Sequence, residues 1–323
     1  MSKIFETLNR SGGDIADLIR PLVEEQGGPS QPGKQMPPAA EPAPPVAEPG
    51  LRPSRPVERA VSRAGESNLA WVRTLSLRVP APSPLLPFDE GQFPASEQYR
   101  ILRTKITHHH REPHAIVVSS PDSGDGKSVS AINMAAALSL KNEAQVLLLD
   151  ADLRKSAVHL QLGLPDTPGL SEILQGRSTL EQALVHAREF PNLYVLTAGT
   201  PPPNPAELLD STQWPALCAK LRTMFRFVVI DSPPVAAVAD YDLIQATCDG
   251  VILIVRPDRT HRELLRKALQ AMPKGKFLGV LLNCVPKLSF SRYYGVDHYY
   301  QYLSAGASAG RNDEKPPAGR ATE

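Results

Sequence analysis

The sequence has few cysteines and no long apolar run, and both absences limit what the protein can be. Cys218, Cys248 and Cys284 are the three cysteines among 323 residues. They lack the spacing of a metal site or a disulfide framework, which predicts reduced thiols in a cytosolic protein. No apolar segment approaches the ~18 to 20 residues that cross a membrane, and the N-terminal MSKIFETLNRSG lacks the apolar core of a signal peptide. We therefore expect a cytoplasmic protein without a membrane span.

An excess of charge of either sign is also missing. Lys and Arg together number 35 and Asp and Glu 34, which gives a formal net charge of +1. A nucleic-acid-binding surface depends on clustered positive charge. The sequence therefore predicts no nucleic-acid partner, and other partners must be inferred from local features.

Proline is abundant and unevenly spread. Ten of the 33 prolines fall within residues 27–57, a stretch without aromatic residues. Such a segment cannot bury enough apolar surface to offset the entropy of ordering it, which predicts an extended, disordered linker. Ahead of it, Ile4, Phe5 and Leu8 and then Ile15 to Val23 have helical spacing, which suggests two short amphipathic helices. They could form a docking arm or pack on their own domain.

These composition changes predict four regions. They are an N-terminal arm over 1–26, a Pro-rich linker over 27–84, an α/β domain over 85–290, and a tyrosine-rich tail with a disordered end over 291–323. We expect that removing residues 2–57 leaves the α/β domain folded and functional.

The central region alternates short apolar runs with helical patterns. Continuous β-branched runs are typical of strands buried on both faces, and their alternation with helices predicts a mostly parallel sheet with helices covering both faces. The predicted strands lie in 114–120, 145–150, 192–199, 225–231, 250–255 and 276–283. The fold class is therefore α/β.

A glycine-rich turn joins the first predicted strand to a helix. Ser120-Pro-Asp-Ser-Gly-Asp-Gly-Lys-Ser128 supplies the backbone N–H groups, lysine and serine with which a P-loop binds nucleotide phosphates and Mg²⁺. Pro121 stands where the G-x-x-x-x-G-K-[ST] pattern has its first glycine, but the anion cradle is formed mainly by residues closer to Lys127. The predicted nucleotide-binding residues are Ser123, Gly124, Asp125, Gly126, Lys127, Ser128 and Val129.

Aspartates follow two other predicted strands. Asp150 and Asp152 end one strand, and Asp231 ends another. Because ligands of open α/β sheets bind outside the carboxyl ends of the strands, these aspartates should converge with the P-loop. Phosphoryl transfer needs carboxylates that hold Mg²⁺ and orient the nucleophile. An aspartate after a strand can also simply cap a turn. Here the P-loop, the Asp150–Asp152 segment and the Asp231 segment are all expected at one sheet edge, which favours the functional interpretation.

Together these segments resemble the Walker A, Walker A′ and Walker B motifs of the bacterial tyrosine kinases of capsular and exopolysaccharide systems. The motif residues are Ser120–Ser128, Asp-Ala-Asp-Leu-Arg at 150–154 and Val-Ile-Asp-Ser-Pro-Pro-Val at 229–235. The segments Gly169–Gly176 and Ala198–Leu209 are similar to that family too, and the resemblance covers about 96–303. It implies a P-loop NTPase fold and an ATP-dependent protein-tyrosine autokinase that regulates polysaccharide polymerisation and export.

The resemblance also implies roles for individual residues. Lys127, Asp150, Asp152 and Asp231 would be catalytic, with Ser128, Asp150 and Asp231 holding Mg²⁺. Asn283 matches in position the asparagine that related ATPases use near adenine, so ATP is the expected nucleotide. A terminal cluster resembles the family's autophosphorylation tail and comprises Tyr293, Tyr294, Tyr299, Tyr300 and Tyr302.

Partners follow from the resemblance as well. Glu97, Arg100 and Arg103 have the spacing of the family's E-x-x-R-x-x-R helix, which implies a ring-like homo-oligomer and phosphorylation between subunits. Kinases of this type without membrane spans work with a separate chain-length-regulating membrane protein. We therefore expect such a co-polymerase, a cognate tyrosine phosphatase, and recruitment to the inner face of the cell membrane by the protein partner.

Two other functions are compatible with a P-loop of this kind. One is an ATPase switch of the Par/Min type, but those proteins carry a lysine five residues before the P-loop lysine, where this chain has Asp122. The other is a nucleotide-bound scaffold of a polysaccharide machine. The presence of all the expected phosphate and Mg²⁺ groups argues against a scaffold.

Overall fold

A computed structural model describes residues 3–5, 69–80, 85, 93–140, 144–235, 237–257 and 259–285. The predicted tyrosine tail, and the N-terminal arm and linker apart from short pieces, lie outside these residues. Within them no helix is long and apolar enough to cross a membrane.

The described residues form nine strands and nine helices. The strands are β1 Lys3–Phe5, β2 Arg73–Leu75, β3 Ala115–Ser119, β4 Val146–Asp150, β5 Val185–Ala187, β6 Leu193–Leu196, β7 Phe227–Asp231, β8 Gly250–Val255 and β9 Phe277–Leu282. The helices are α1 Phe93–Thr107, α2 Lys127–Ser139, α3 Val158–Leu162, α4 Leu170–Leu174, α5 Leu180–Ala183, α6 Pro205–Leu209, α7 Gln213–Met224, α8 Asp240–Ala246 and α9 Arg262–Ala271.

All nine strands join one sheet in the order β1-β9-β8-β3-β7-β4-β6-β5-β2. The six strands from β9 to β6 in this order run parallel. Each of them matches a predicted apolar run, so the expected α/β class with a mostly parallel sheet is confirmed.

The central strands are buried along their whole length. Every residue of β3, β4, β7 and β8 is buried. Since alternate residues of a strand point to opposite faces, both faces of the sheet are covered. This is why these strands appear in the sequence as continuous apolar runs rather than as alternating ones.

The sheet edges contain the strands that the apolar pattern did not predict. β5 runs antiparallel to β6, and β2 pairs parallel with β5, so Arg73–Leu75 lies in the sheet although it falls inside the predicted linker. β1 pairs antiparallel with β9, with Ile4 opposite Leu281. The helix predicted around Ile4 and Phe5 is therefore wrong at Lys3–Phe5, because hydrogen bonding to the open edge of β9 outweighs local helical spacing.

The sheet order brings the predicted motifs to one place. β7 lies between β3 and β4, and Asp150 and Asp231 are directly opposite each other in the β4–β7 register. The P-loop follows the carboxyl end of the third strand, β3. The strands that carry the three Walker-like motifs are therefore adjacent, and their carboxyl ends meet at one edge.

Candidate active site

The turn after β3 has the backbone form of a phosphate-binding loop. Gly124 and Gly126 have positive φ values of 88° and 94°, and α2 begins at Lys127. Residues with side chains rarely adopt such φ values, so glycine is favoured at both positions. The positive end of the helix dipole and the loop N–H groups together make this turn suited to an anion.

Lys127 lies buried between two carboxylates. Its Nζ atom is 2.7 Å from Asp152 Oδ2 and 3.7 Å from Asp231 Oδ1. Burial alone would lower the pKa of this ammonium, but the neighbouring carboxylates outweigh burial and the pKa is raised. Lys127 is therefore held charged at neutral pH beside the loop that would receive phosphates.

Asp231 is fully buried, and neither of its carboxylate oxygens has a hydrogen-bond partner among the described residues. Burial raises its pKa, and the Lys127 ammonium opposes that shift. A buried carboxylate that lacks hydrogen bonds is costly even with an ammonium 3.7 Å away, so it indicates a bound group. Mg²⁺ fits, because in nucleotide sites it takes one or two carboxylates and is completed by phosphate oxygens and water. The adjacent Ser128 hydroxyl is suited to the same ion.

Asp150 is buried in a different way. Its Oδ1 accepts the N–H of Asp152, and its Oδ2 accepts those of Ala157 and Val158 at the start of α3. Burial and the nearby Asp231 charge raise its pKa well above the ordinary value, while these N–H groups oppose the rise. Asp150 thus holds the loop that carries Asp152. Its assignment as a Mg²⁺ ligand stays a prediction.

The P-loop is attached to the turn after β8 and to the end of β9. Asp125 is fully buried; its carboxylate accepts the Thr260 hydroxyl at 2.9 Å and the Asp122 N–H at 3.2 Å. The Asn283 side-chain amide, expected near adenine, donates to the backbone oxygen of Asp125 at 3.0 Å. The Thr260 contact was not foreseen from the sequence. The available signal was Asp125 itself, a carboxylate within a turn of small residues that needs a hydrogen-bond donor when it is buried.

A second unforeseen contact joins the two aspartate-bearing loops. Arg154 forms a bidentate ion pair with the buried Asp240, with distances of 2.8 and 2.9 Å. The N–H of Ala151 also donates to the backbone oxygen of Asp231 at 2.9 Å. The loops after β4 and β7 are therefore fixed to each other, and this keeps Asp152 and Asp231 around Lys127.

The two other family-like segments contact each other next to this edge. Glu172 accepts the N–H of Gly169 at 2.9 Å and the N–H of Thr200 at 3.1 Å. The Ser171 hydroxyl donates to the Thr200 oxygen at 2.6 Å. The second segment follows β6, the neighbour of β4, so the two segments lie on the β4 side of this edge.

The remaining predicted residues lie farther out or outside the described chain. Ser123 is exposed and Val129 half-buried. On α1, Arg100 pairs with Glu97 at 3.0 Å, and Arg103 donates to the Ala137 oxygen of α2 at 3.4 Å. These are contacts within one chain. The five tail tyrosines lie beyond the described residues.

Comparison with known proteins agrees with this arrangement. The sequence model of the CobQ/CobB/MinD/ParA nucleotide binding domain matches residues 116–289. This stretch is more than half of the chain and contains the P-loop, the aspartate-bearing loops and Asn283.

Individual relatives are more specific. The chain is 38% identical to the tyrosine-protein kinase YwqD of Bacillus subtilis (strain 168), over 64% of this chain and 89% of that protein. It is 31% identical to the tyrosine-protein kinase CpsD of Streptococcus agalactiae, over 58% of this chain and 83% of that one. The crystal structure of the chimerical protein CapA2B2 superposes with a TM-score of 0.61 and 32% identity, over 67% of this chain and 96% of that chain. The chain therefore belongs to the CobQ/CobB/MinD/ParA family of nucleotide-binding domains and, within it, to the bacterial tyrosine-protein kinases.

Proposed function

We propose that the protein is an ATP-dependent protein-tyrosine autokinase that phosphorylates its own C-terminal tyrosines. The observation that carries this proposal is the buried Lys127, paired with Asp152 and Asp231 beside a glycine-rich anion loop. In a chain of the tyrosine-kinase family, these groups are the ones that phosphoryl transfer requires.

Each residue has a physical role in this reaction. The N–H groups of the P-loop and the Lys127 ammonium bind the phosphates of ATP and stabilise the charge that develops on the transferred group. Asp231 and Ser128 would hold Mg²⁺, which when bound neutralises phosphate charge. The Arg154–Asp240 ion pair keeps the loops after β4 and β7, and with them Asp152 and Asp231, in fixed positions relative to each other.

Asp152 is the group we assign to the incoming tyrosine. Free tyrosine has a pKa near 10, so its hydroxyl is protonated at neutral pH and needs a proton acceptor at the moment of attack. The Asp152 carboxylate accepts a hydrogen bond from Lys127 at 2.7 Å, so it would lie near the phosphate that Lys127 binds. It would orient the hydroxyl and accept its proton.

The wider assignment rests on the names of relatives and on residue spacing. We propose phosphorylation between subunits of a ring-like oligomer, with Glu97, Arg100 and Arg103 in the contact. The substrate tyrosines are Tyr293, Tyr294, Tyr299, Tyr300 and Tyr302. The protein would act in the cytoplasm on a capsular or exopolysaccharide system, with a membrane co-polymerase and a tyrosine phosphatase as partners.

Incubation of the purified protein with ATP and Mg²⁺, followed by phosphotyrosine detection, tests the activity. We expect labelling in the wild type and a loss of at least about 100-fold in Lys127→Met, because the phosphate-binding cation is gone. Lys220→Met removes an exposed lysine that pairs with Glu181 on the surface and should label normally. Equal labelling of Lys127→Met would disprove the mechanism. ATP hydrolysis without phosphotyrosine would favour the Par/Min-type switch.

Mixing two variants that cannot label themselves tests transfer between subunits. One is Lys127→Met with an intact tail, and the other carries phenylalanine at all five tail tyrosines with an intact site. We expect the Lys127→Met subunit to become labelled in the mixture only. A mixture without label would mean that transfer occurs within one chain.

A further inference from the structure

Two side chains from outside the P-loop donate to its backbone carbonyl groups. The Arg259 Nη2 atom, on the turn after β8, lies 3.3 Å from the Ser123 oxygen. Asn283 Nδ2, directly after β9, lies 3.0 Å from the Asp125 oxygen. The two donors therefore bind carbonyl groups that are two residues apart in the loop. Arg259 belongs to none of the motifs described above.

The geometry of the peptide bond gives these contacts a meaning. In a trans peptide the C=O of one residue and the N–H of the next point in opposite directions. The peptides after Ser123 and Asp125 are trans, since the one cis bond found in the described chain is Thr167–Pro168. A donor that holds the Ser123 carbonyl thus turns the Gly124 N–H to the other side, and Asn283 does the same for Gly126.

These two N–H groups are the ones that an anion would need. Neither donates a backbone hydrogen bond to another described residue. Successive N–H groups turned inward by alternating backbone conformations form an anion-binding concavity. A hydrogen bond to the carbonyl also polarises its peptide group, which strengthens the N–H as a donor.

Asn283 and the turn that carries Arg259 are themselves held in place. The Asn283 N–H donates to the Val255 oxygen, and its side-chain oxygen accepts the Cys284 N–H, so its amide nitrogen faces the loop. Arg259 precedes Thr260, whose hydroxyl bonds to the Asp125 carboxylate at 2.9 Å. The turn is thereby fixed to the P-loop one residue from the arginine.

Packing around the two glycines agrees with this arrangement. A Cβ atom at Gly124 would come within 2.7 Å of the Arg259 guanidinium, and one at Gly126 would overlap Asn283 Nδ2. The space that a side chain would need is occupied by the two donors. The loop and its outer supports therefore fit as one unit.

We infer that Arg259 and Asn283 are positioning residues of the phosphate site: each holds an outward carbonyl of the P-loop and so directs the next N–H toward the nucleotide phosphates. The inference rests on the proposed nucleotide binding but not on tyrosine transfer. It assigns Asn283 to the phosphates rather than to the adenine base, and it adds a residue that motif matching does not find.

Calorimetric titration of the full chain with Mg-ADP, Mg-GDP and magnesium pyrophosphate tests it. Arg259→Met and Asn283→Ala should each weaken ADP and pyrophosphate binding by about three- to tenfold, the effect of one lost hydrogen bond, with an unchanged ratio of ADP to GDP affinity. Arg259→Lys retains a charged donor and should stay within about twofold of the wild type. Arg266→Met is the matched control, because Arg266 is exposed on α9 and pairs with Glu263.

Three results would overturn the inference. The first is that Arg259→Met and Asn283→Ala both bind pyrophosphate with wild-type affinity. The second is that Asn283→Ala binds pyrophosphate normally but has a changed ratio of ADP to GDP affinity. The third is that the variants have a lowered Tm without a change in affinity. The kinase proposal fails separately, if the wild type binds Mg-ADP but forms no phosphotyrosine.

Discussion

At the scale of single residues, the half-buried Asp249 and the fully buried Asp231 show how differently two carboxylates can be held. Asp249 accepts the N–H groups of His114 and Ala115, both at 2.9 Å, and pairs with Arg222. Burial alone would raise its pKa, but these partners outweigh burial and the pKa is lowered. No N–H group of the described backbone donates to the Asp231 carboxylate, and burial raises its pKa. The partners of Asp249 fix its charge in the folded chain, whereas we propose that the Asp231 charge is kept for a ligand at some expense of stability.

Replacement of each aspartate by asparagine should therefore change stability in opposite directions. We expect Asp231→Asn to raise the Tm of the nucleotide-free protein by about 2–4 °C at pH 7, because it removes a buried charge without hydrogen bonds. Asp249→Asn should lower the free energy of unfolding by about 1–3 kcal/mol, because Arg222 loses its partner. Thermal unfolding and urea denaturation measure the two effects. A lower Tm in Asp231→Asn would show that its attraction to Lys127 outweighs its burial.

The residue scale also shows what motif spacing can reveal. Lys127 begins the helix after the β3 turn, Asp152 lies two residues after β4, and Asp231 ends β7. Their positions at one sheet edge could therefore be predicted once the strands were recognised. Asp240, Arg259 and Thr260 could not be predicted, because their partners are distant in sequence. Thr260 is 135 residues from Asp125, and Arg154 is 86 residues from Asp240. Such pairs are created by the topology of the sheet.

At the scale of elements, burial decided which strands were predictable. The central strands are apolar throughout because both faces are covered. β5 and β2 have three residues each and contain polar or charged side chains, so their sequences lack that pattern. Their place in the sheet depends on pairing with neighbouring strands, and this cannot be recognised in a single segment.

The Glu172 contacts between two loop segments predict a pH dependence. Burial alone would raise the pKa of Glu172, but hydrogen bonds from Gly169 and Thr200 outweigh burial and the pKa is lowered. Arg177 lies 3.7 Å from Glu172, and the Glu172 charge contributes to the raised pKa of Asp166. A folded-state pKa below the unfolded value gives stability that is complete above pH ~4.5 and is lost as the pH falls through the folded pKa.

Glu172→Gln should remove this contribution. We expect the variant to be less stable than the wild type by about 1–2 kcal/mol at pH 6–7, and the difference to shrink as the pH falls from about 5 to 3. Urea denaturation across this pH range measures it. Glu207→Gln is the control, because Glu207 is exposed on α6 and accepts a hydrogen bond from the exposed Asn204 side chain. A difference that stays constant with pH would mean that packing, and not the charge, holds the two segments together.

At the scale of the whole molecule, β1 and β2 lie at opposite edges of the sheet. Eight strand spacings of about 4.8 Å separate them, so the chain between Phe5 and Arg73 must bridge about 38 Å. A proline-rich composition favours an extended chain that can do so. The prolines therefore connect two parts of one sheet, and they do not simply separate an arm from a domain.

Two deletions distinguish these interpretations. Deletion of residues 13–57 keeps β1 and leaves 22 residues before Arg73, enough to span about 70 Å when extended. We expect its Tm to equal that of the wild type.

Deletion of residues 2–57 also removes β1 and opens the edge of β9, so we expect a Tm lower by about 2–6 °C, the equivalent of ~1–2 kcal/mol. Both deletion variants should bind Mg-ADP like the wild type. The Asn283 N–H donates to Val255 of β8, and β8 pairs with β9 on the side opposite β1, so the loss of β1 leaves this contact in place. Equal Tm values for the two deletions would show that β1 adds nothing to the sheet, and the N-terminal residues would then be free to serve as a docking arm.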